Sequence, residues 1–115
     1  MTETQLIFKI VSHEQWTDAE KEGVFRGAAI DLTDGYIHFS TAEQSQETAA
    51  KHFAGREGLL LVAVDCETLG DDLKWEPSRG GALFPHLYAE LKTGDALWVK
   101  ELPLGDNGVH QFPEM

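Results

Sequence analysis

The sequence predicts a single α+β domain with a mixed or antiparallel sheet and two helices in its N-terminal half. The element order is the first reason. It reads strand, helix, strand, helix, then a run of strands, which is an α+β rather than a doubly wound pattern. The second reason is spacing: the gaps between the later strands are too short for the helical crossovers that a parallel sheet requires. At 115 residues the chain is one ordinary domain, spanning 1–115. A domain of that size buries a core without metals or disulfides.

Gln5 to Val11 reads as the first strand, with Leu6, Ile7, Phe8 and Ile10 apolar. Ser12 and Gln15 have capping-box spacing and open a helix that turns Trp16 and Ala19 inward and stops near Gly23. Val24 to Gly35 shows no period and reads as a connecting loop. Tyr36 to Ser40 alternates, so Tyr36, His38 and Ser40 share one strand face and Ile37 and Phe39 the other. A second helix starts at Ser40 or Thr41, because Ser40…Glu43 and Thr41…Gln44 both have capping-box spacing. Ala42, Ala49 and Phe53 mark its inner side and Gly55 its end.

Leu59 to Asp65 is the buried central strand. Leu73 to Glu76 forms a short strand, and Pro77-Ser78-Arg79-Gly80-Gly81 is a loop by composition. Leu83 to Leu91 is extended with a strand core at His86 to Leu91, and Ala96 to Leu102 is the last strand. From Pro103 to Met115 the turn residues Gly105, Asp106, Asn107 and Gly108 predict a loosely structured tail, 103–115.

Nine Lys and Arg against twenty Asp and Glu give a net charge of −11. Long phosphate backbones need a basic surface, so DNA and long RNA are excluded as general partners. A small anionic ligand in a locally basic pocket remains compatible with this charge. One cysteine, Cys66, permits no intrachain disulfide and fits a reducing compartment, where a lone Cys after an apolar strand serves packing. The start of the chain lacks the pattern of a signal peptide, and the longest apolar run, Leu59 to Val64, is too short to cross a bilayer. The expectation is a soluble cytoplasmic protein with no membrane partner.

Chemistry-bearing residues fall in three clusters. On the Tyr36, His38, Ser40 face an imidazole stands beside two hydroxyls and the free amides of a helix start at Ser40-Thr41, a combination that can hold a phosphate. The alternative is that Ser40 and Thr41 only cap the helix. In the second cluster Glu76 precedes Ser78-Arg79-Gly80-Gly81, where Arg79 can grip a carboxylate or phosphate and the glycines allow close backbone approach; a surface turn with a solvated Arg79 is the plainer reading. In the third, His86, Tyr88 and Glu90 share one face if the strand is regular, either to contact a ligand or as the wet face of the sheet. His38, His86 and Glu76 lack the local spacing of a metal site, so no metal is expected. His13, His52 and His110 read as solvated, and no GxSxG elbow or GxxxxGK[ST] loop is present.

These clusters carry a resemblance. Phe8-Lys9-Ile10 with Trp16, the run Asp34 to Gln44, Trp75-Glu76, Ser78 to Gly81 and Phe84 to Tyr88 resemble the bacterial family called domain of unknown function 952 over about residues 5 to 101. More distantly, Ile37-His38-Phe39-Ser40, the helix after it and the strands at Leu59 to Asp65 and Phe84 to Leu91 resemble the ADP-ribosyltransferase superfold, in particular the RNA 2′-phosphotransferases. The resemblance implies an ADP-ribosyltransferase-like fold and NAD as cofactor. His38 would contact NAD or ADP-ribose, His86 or Tyr88 would approach the reacting ribose, and Glu76 or Glu90 would be the catalytic carboxylate. Where those enzymes carry His-Gly-Thr, this chain has Lys9-Ile10-Val11, so Lys9 can bind a phosphate but cannot replace that motif. The expected pocket is lined by Lys9, His38, Ser40, Thr41, Arg79, His86 and Tyr88. It would serve a binding protein for a small anionic or nucleotide-like ligand, catalytically degenerate, or an active ADP-ribosyl- or phosphotransferase. The third reading is an acidic protein-interaction domain.

Overall fold

The computed structural model describes residues 5–78 and 81–115. The chain opens with strand β1 (Leu6–Ser12), whose end caps helix α1 (His13–Glu22). Ser12 accepts from the Gln15 amide, and the Gln15 side chain accepts from the Ser12 amide. Gly23 ends α1 in the left-handed conformation, φ 85°, which glycine adopts without a Cβ penalty. Two short strands follow on either side of a short helix: β2 (Val24–Phe25), α2 (Ala29–Asp34) and β3 (Ile37–His38). Helix α3 (Ala42–His52) leads to β4 (Leu59–Asp65) and α4 (Cys66–Leu69). The remaining strands are β5 (Leu73–Ser78), β6 (Ala82–Leu87), β7 (Leu91–Lys92) and β8 (Ala96–Leu102).

The fold is α+β, and every strand pairing among the described residues is antiparallel. One sheet has the order β1-β4-β8, a second β3-β6-β5, and β2 pairs with β7. The first sheet is covered on both faces. Ile7, Val11, Leu60, Val62 and Val64 pack with Trp16 and Ala19 of α1. Phe8, Ile10, Leu59, Leu61 and Ala63 pack with Ala49 of α3. This explains why β4 is an unbroken apolar run: a strand covered on both faces has no wet side to alternate with.

The two larger sheets meet at one point. Ser40 and Phe8 exchange both backbone hydrogen bonds, at 2.8 and 2.9 Å. The expected strand from Tyr36 to Ser40 is therefore shortened to Ile37–His38. His38 pairs with His86, so the next residue faces Pro85, which has no N–H to give, and the chain crosses over to β1. This crossover brings β1, β3, β6 and β5 side by side and positions the site.

Several sequence expectations are corrected. The segment Val24 to Gly35 is not a loop: it contains β2 and α2. Leu83 to Leu91 is not one strand, because the chain bends after Leu87 and resumes as β7 beside β2. Of the two helix starts, Thr41 is the cap, with Gln44 completing the capping box. Ser45 and Ala49, rather than Ala42, form the buried side of α3. Pro77 and Ser78 extend β5, and Pro77 is tolerated there because β5 is an edge strand. Beyond Pro103 the chain turns back so that Leu104 bridges His110 and Phe112 packs on the sheet. His110 is buried, not solvated: its Nε2 donates to the Arg56 carbonyl at 2.8 Å. Among the described residues no helix is long and apolar enough to cross a membrane.

Leu61 is fully buried at the centre of β4. Leu61→Ala is expected to cost about 2–5 kcal/mol. Urea unfolding would show this as a lower midpoint with an unchanged slope.

Candidate functional site

The site is built around Asp31, a buried carboxylate on α2. Its Oδ1 accepts from the His38 amide at 3.0 Å and faces His38 Nδ1 at 2.6 Å. Its Oδ2 accepts from the Ala28 amide at 2.7 Å and lies 2.9 Å from Lys9 Nζ. Burial pushes the Asp31 carboxyl up, but the His38 hydrogen bond, the Lys9 charge and the two backbone N–H groups outweigh it and hold the carboxyl at about 2. Burial lowers the pKa of the Lys9 ammonium, and the Asp31 charge opposes that shift. Gly27 makes room for this network: at φ 117° a Cβ there would stand 2.7 Å from the Asp31 Cβ.

His38 is clamped from both sides, since its Nε2 lies 3.0 Å from Asp34 Oδ2. Carboxylates only accept, so whichever ring nitrogen carries a proton has an acceptor beside it. Across the strand pair stands His86, with the two rings 5.4 Å apart and nearly perpendicular. Tyr36 stacks on His86 at 4.2 Å and contacts His38 and Tyr88. His86 Nδ1 is 2.8 Å from Glu76 Oε1, and the Tyr88 hydroxyl donates to that same oxygen at 2.6 Å. Because the carboxylate only accepts, the proton in this contact is on Nδ1. The hydrogen bond to Glu76 pushes the Tyr88 phenol up to about 12. The same bond, with that from His86, holds the Glu76 carboxyl below its ordinary value.

A cleft of about 610 Å³ opens beside this cluster. Lys9, His38, Ser40 and His86 line it together, with Phe8, Phe39 and Phe84 as apolar walls. Ser40 is buried, its hydroxyl 3.1 Å from that of Thr48 on α3. Lys9 reaches the cleft already paired with Asp31, so its charge serves the network before any ligand. Thr41 caps α3 and does not line the cleft. Tyr88 lines a smaller neighbouring hollow of about 290 Å³. Glu76 belongs to the cluster through His86 and Tyr88. Glu90 does not share their face: past the bend after Leu87 it pairs with Arg26 at 3.3 Å. Arg79 lies outside the described residues. Asp31, Asp34, Thr48 and Arg56 are the participants that sequence reasoning missed. The spacing of Asp31, Asp34 and His38, which a short helix and one turn bring onto each other, was the available signal for the first two. Among the described residues no group of three or more His, Cys, Asp or Glu is arranged to hold a metal ion.

The folded state favours the ionised form of Asp31, because its pKa is depressed to about 2. Its contribution to stability is fully present above about pH 4, the ordinary carboxylate value, and is lost as the pH falls through about 2. The expected loss across that window is about 2 kcal/mol. Asp31→Asn should lose about 3–5 kcal/mol at pH 7, because it strands the buried Lys9 charge, and should lack that part of the acid dependence. Urea unfolding of both proteins from pH 7 to pH 2 measures the difference; equal curves would contradict the network's role.

Two solved structures of CC0527 from Caulobacter crescentus are similar to this chain. The crystal structure is 53% identical, covers 92% of this chain and 93% of that one, and superposes with a TM-score of 0.89. The solution structure is 53% identical, covers 92% and 91%, and has a TM-score of 0.84. None of the curated proteins matches. The family model described as protein of unknown function DUF952 matches residues 10–99, which include every described residue of the histidine, tyrosine and carboxylate cluster except Lys9. The chain belongs to the DUF952 family.

Proposed function

We propose that this protein binds a small phosphorylated, nucleotide-like ligand of the NAD or ADP-ribose class, in a pocket of ADP-ribosyltransferase type. The observation that carries the reading is convergence. His38 and His86, opposite each other on adjacent strands, line one cleft of about 610 Å³ with the buried Ser40. That volume lies within the range of small-molecule sites, and mostly apolar walls with a few fixed polar groups are what such sites use. Aromatic and imidazole faces suit a planar ring, and the Ser40 and Thr48 hydroxyls suit a ribose. The chain's net charge of −11 selects against long nucleic acid but not against a ligand held inside a cleft.

One observation favours a catalytic version. Glu76 accepts from both His86 and Tyr88 through Oε1, which ties a carboxylate to His86 at the cleft wall. In an active transferase Glu76 would act through His86, which would stand beside the reacting ribose. Glu90, paired with Arg26, is the weaker candidate for the role.

ADP-ribose at about 100 times its dissociation constant should stabilise the protein by about 2.7 kcal/mol. Thermal unfolding with and without ligand reads this. His38→Ala, compared with its own ligand-free baseline, should show no shift. The absence of any shift with millimolar NAD or ADP-ribose would sink the binding reading. Nicotinamide release from NAD that disappears in Glu76→Gln, while ADP-ribose binding persists, would establish the catalytic version.

A further inference from the structure

The cleft has a second end that the histidine cluster does not explain. It continues along α3 past Thr48 and His52, one helical turn apart on the same helix face, to Phe53 and Arg56. Among the described residues Lys9, Arg26 and Lys51 form ion pairs, with Asp31, with Glu22 and Glu90, and with Glu47, and of the described Lys and Arg residues only Lys9 and Arg56 line this cleft. Arg56 has no carboxylate within ion-pair distance among those residues, in a chain with twenty acidic side chains. Its position is nevertheless held. The guanidinium stands over the Phe53 ring at 5.3 Å, the Arg56 amide donates to the Phe53 carbonyl at 3.0 Å, and the buried His110 fixes the Arg56 carbonyl from the tail at 2.8 Å.

Arg56, in no ion pair among the described residues, with its backbone fixed on both sides and its guanidinium packed on the Phe53 ring, lines the cleft where it can receive an anion. Its planar fork suits two oxygens of one phosphate. The C-terminal dipole of α3 favours cations here. Arg56 lies beyond the Phe53 cap, outside the last turn, and its guanidinium packs on that residue's ring. We propose that Arg56 is the phosphate-binding end of the cleft, that it takes a phosphate or pyrophosphate group, and that the tail holds it in place through His110. This deepens the nucleotide reading above and rests on it for the full ligand: the ribose end lies at His38 and His86, the phosphates at Arg56.

Titration calorimetry of the full chain with ADP-ribose and with inorganic pyrophosphate tests this. Arg56 is exposed, so Arg56→Gln should fold with an unchanged melting temperature, and Arg56→Lys provides a charge-retaining partner. Loss of one charge-assisted phosphate contact should weaken both ligands about ten- to a hundred-fold in Arg56→Gln. Arg56→Lys should retain affinity between the two. Pyrophosphate binding that is lost in Arg56→Gln, with no binding of ADP-ribose to any form, would support the anion site and overturn the nucleotide reading. ADP-ribose binding equally to wild type and Arg56→Gln would overturn the anion site and leave that reading standing. No binding of either ligand to wild type would overturn both.

Discussion

The buried ion pair between Asp31 and Lys9 is the constraint on which the site depends. Two charges taken out of water are tolerated only when both are hydrogen-bonded and close. Asp31 meets that condition with four partners on three parts of the chain: Lys9 on β1, the Ala28 amide before α2, and the amide and ring of His38 on β3. The same carboxylate therefore starts α2, ties it to the sheet and sets the orientation of His38. From His38 the order passes across the strand pair to His86, through the Tyr36 stack, and on to Glu76 and Tyr88. A hydrogen-bonded carboxylate thus holds an orientation that apolar packing alone would leave loose.

Much of the fold was legible in the sequence, because β1, α1, α3, β4 and β8 announce themselves by period, capping residues or unbroken apolarity. The parts that were not legible have tertiary causes. Helix α2 has only six residues, and its first turn is closed by Asp31 rather than by a capping side chain at Ala28. Strands β2 and β7 are two residues each and exist through pairing with one another. The bend after Leu87 took Glu90 away from the face that regular alternation assigned to it. His38 and His86 meet because β3 and β6 pair side by side, whereas Tyr36 and Tyr88 flank those strands and Glu76 comes from β5, which alternation did not place with them. The role of Lys9 was half legible: it reaches the cleft, but burial commits its charge to Asp31. His110 was misread because a tail rich in turn residues gives no sign that one imidazole will be buried against a backbone carbonyl.

The charge distribution links fold to function. Twenty carboxylates outnumber nine Lys and Arg in the chain, while Arg56 and the Asp31-paired Lys9 line one cleft with His38, His86 and Asp34. Such a charge balance repels long polyanions and admits a ligand small enough to be enclosed. The two ends of the cleft differ in character. One is aromatic and imidazole-rich with carboxylate support, and the other is a single anchored guanidinium. A ligand with a ring and sugar at one end and phosphate at the other matches that polarity, and neither end alone accounts for the whole cavity.

Backbone amide shifts during titration with ADP-ribose test the ligand site most directly. Perturbations should gather on Phe39, Ser40, Thr48, Phe84 and Arg56, which line one cleft but come from four separated segments. Amides that stay unmoved in the cleft at millimolar ligand, or that move only on the exposed surface around Leu97 of β8, would contradict a nucleotide-like ligand seated beside His38 and His86.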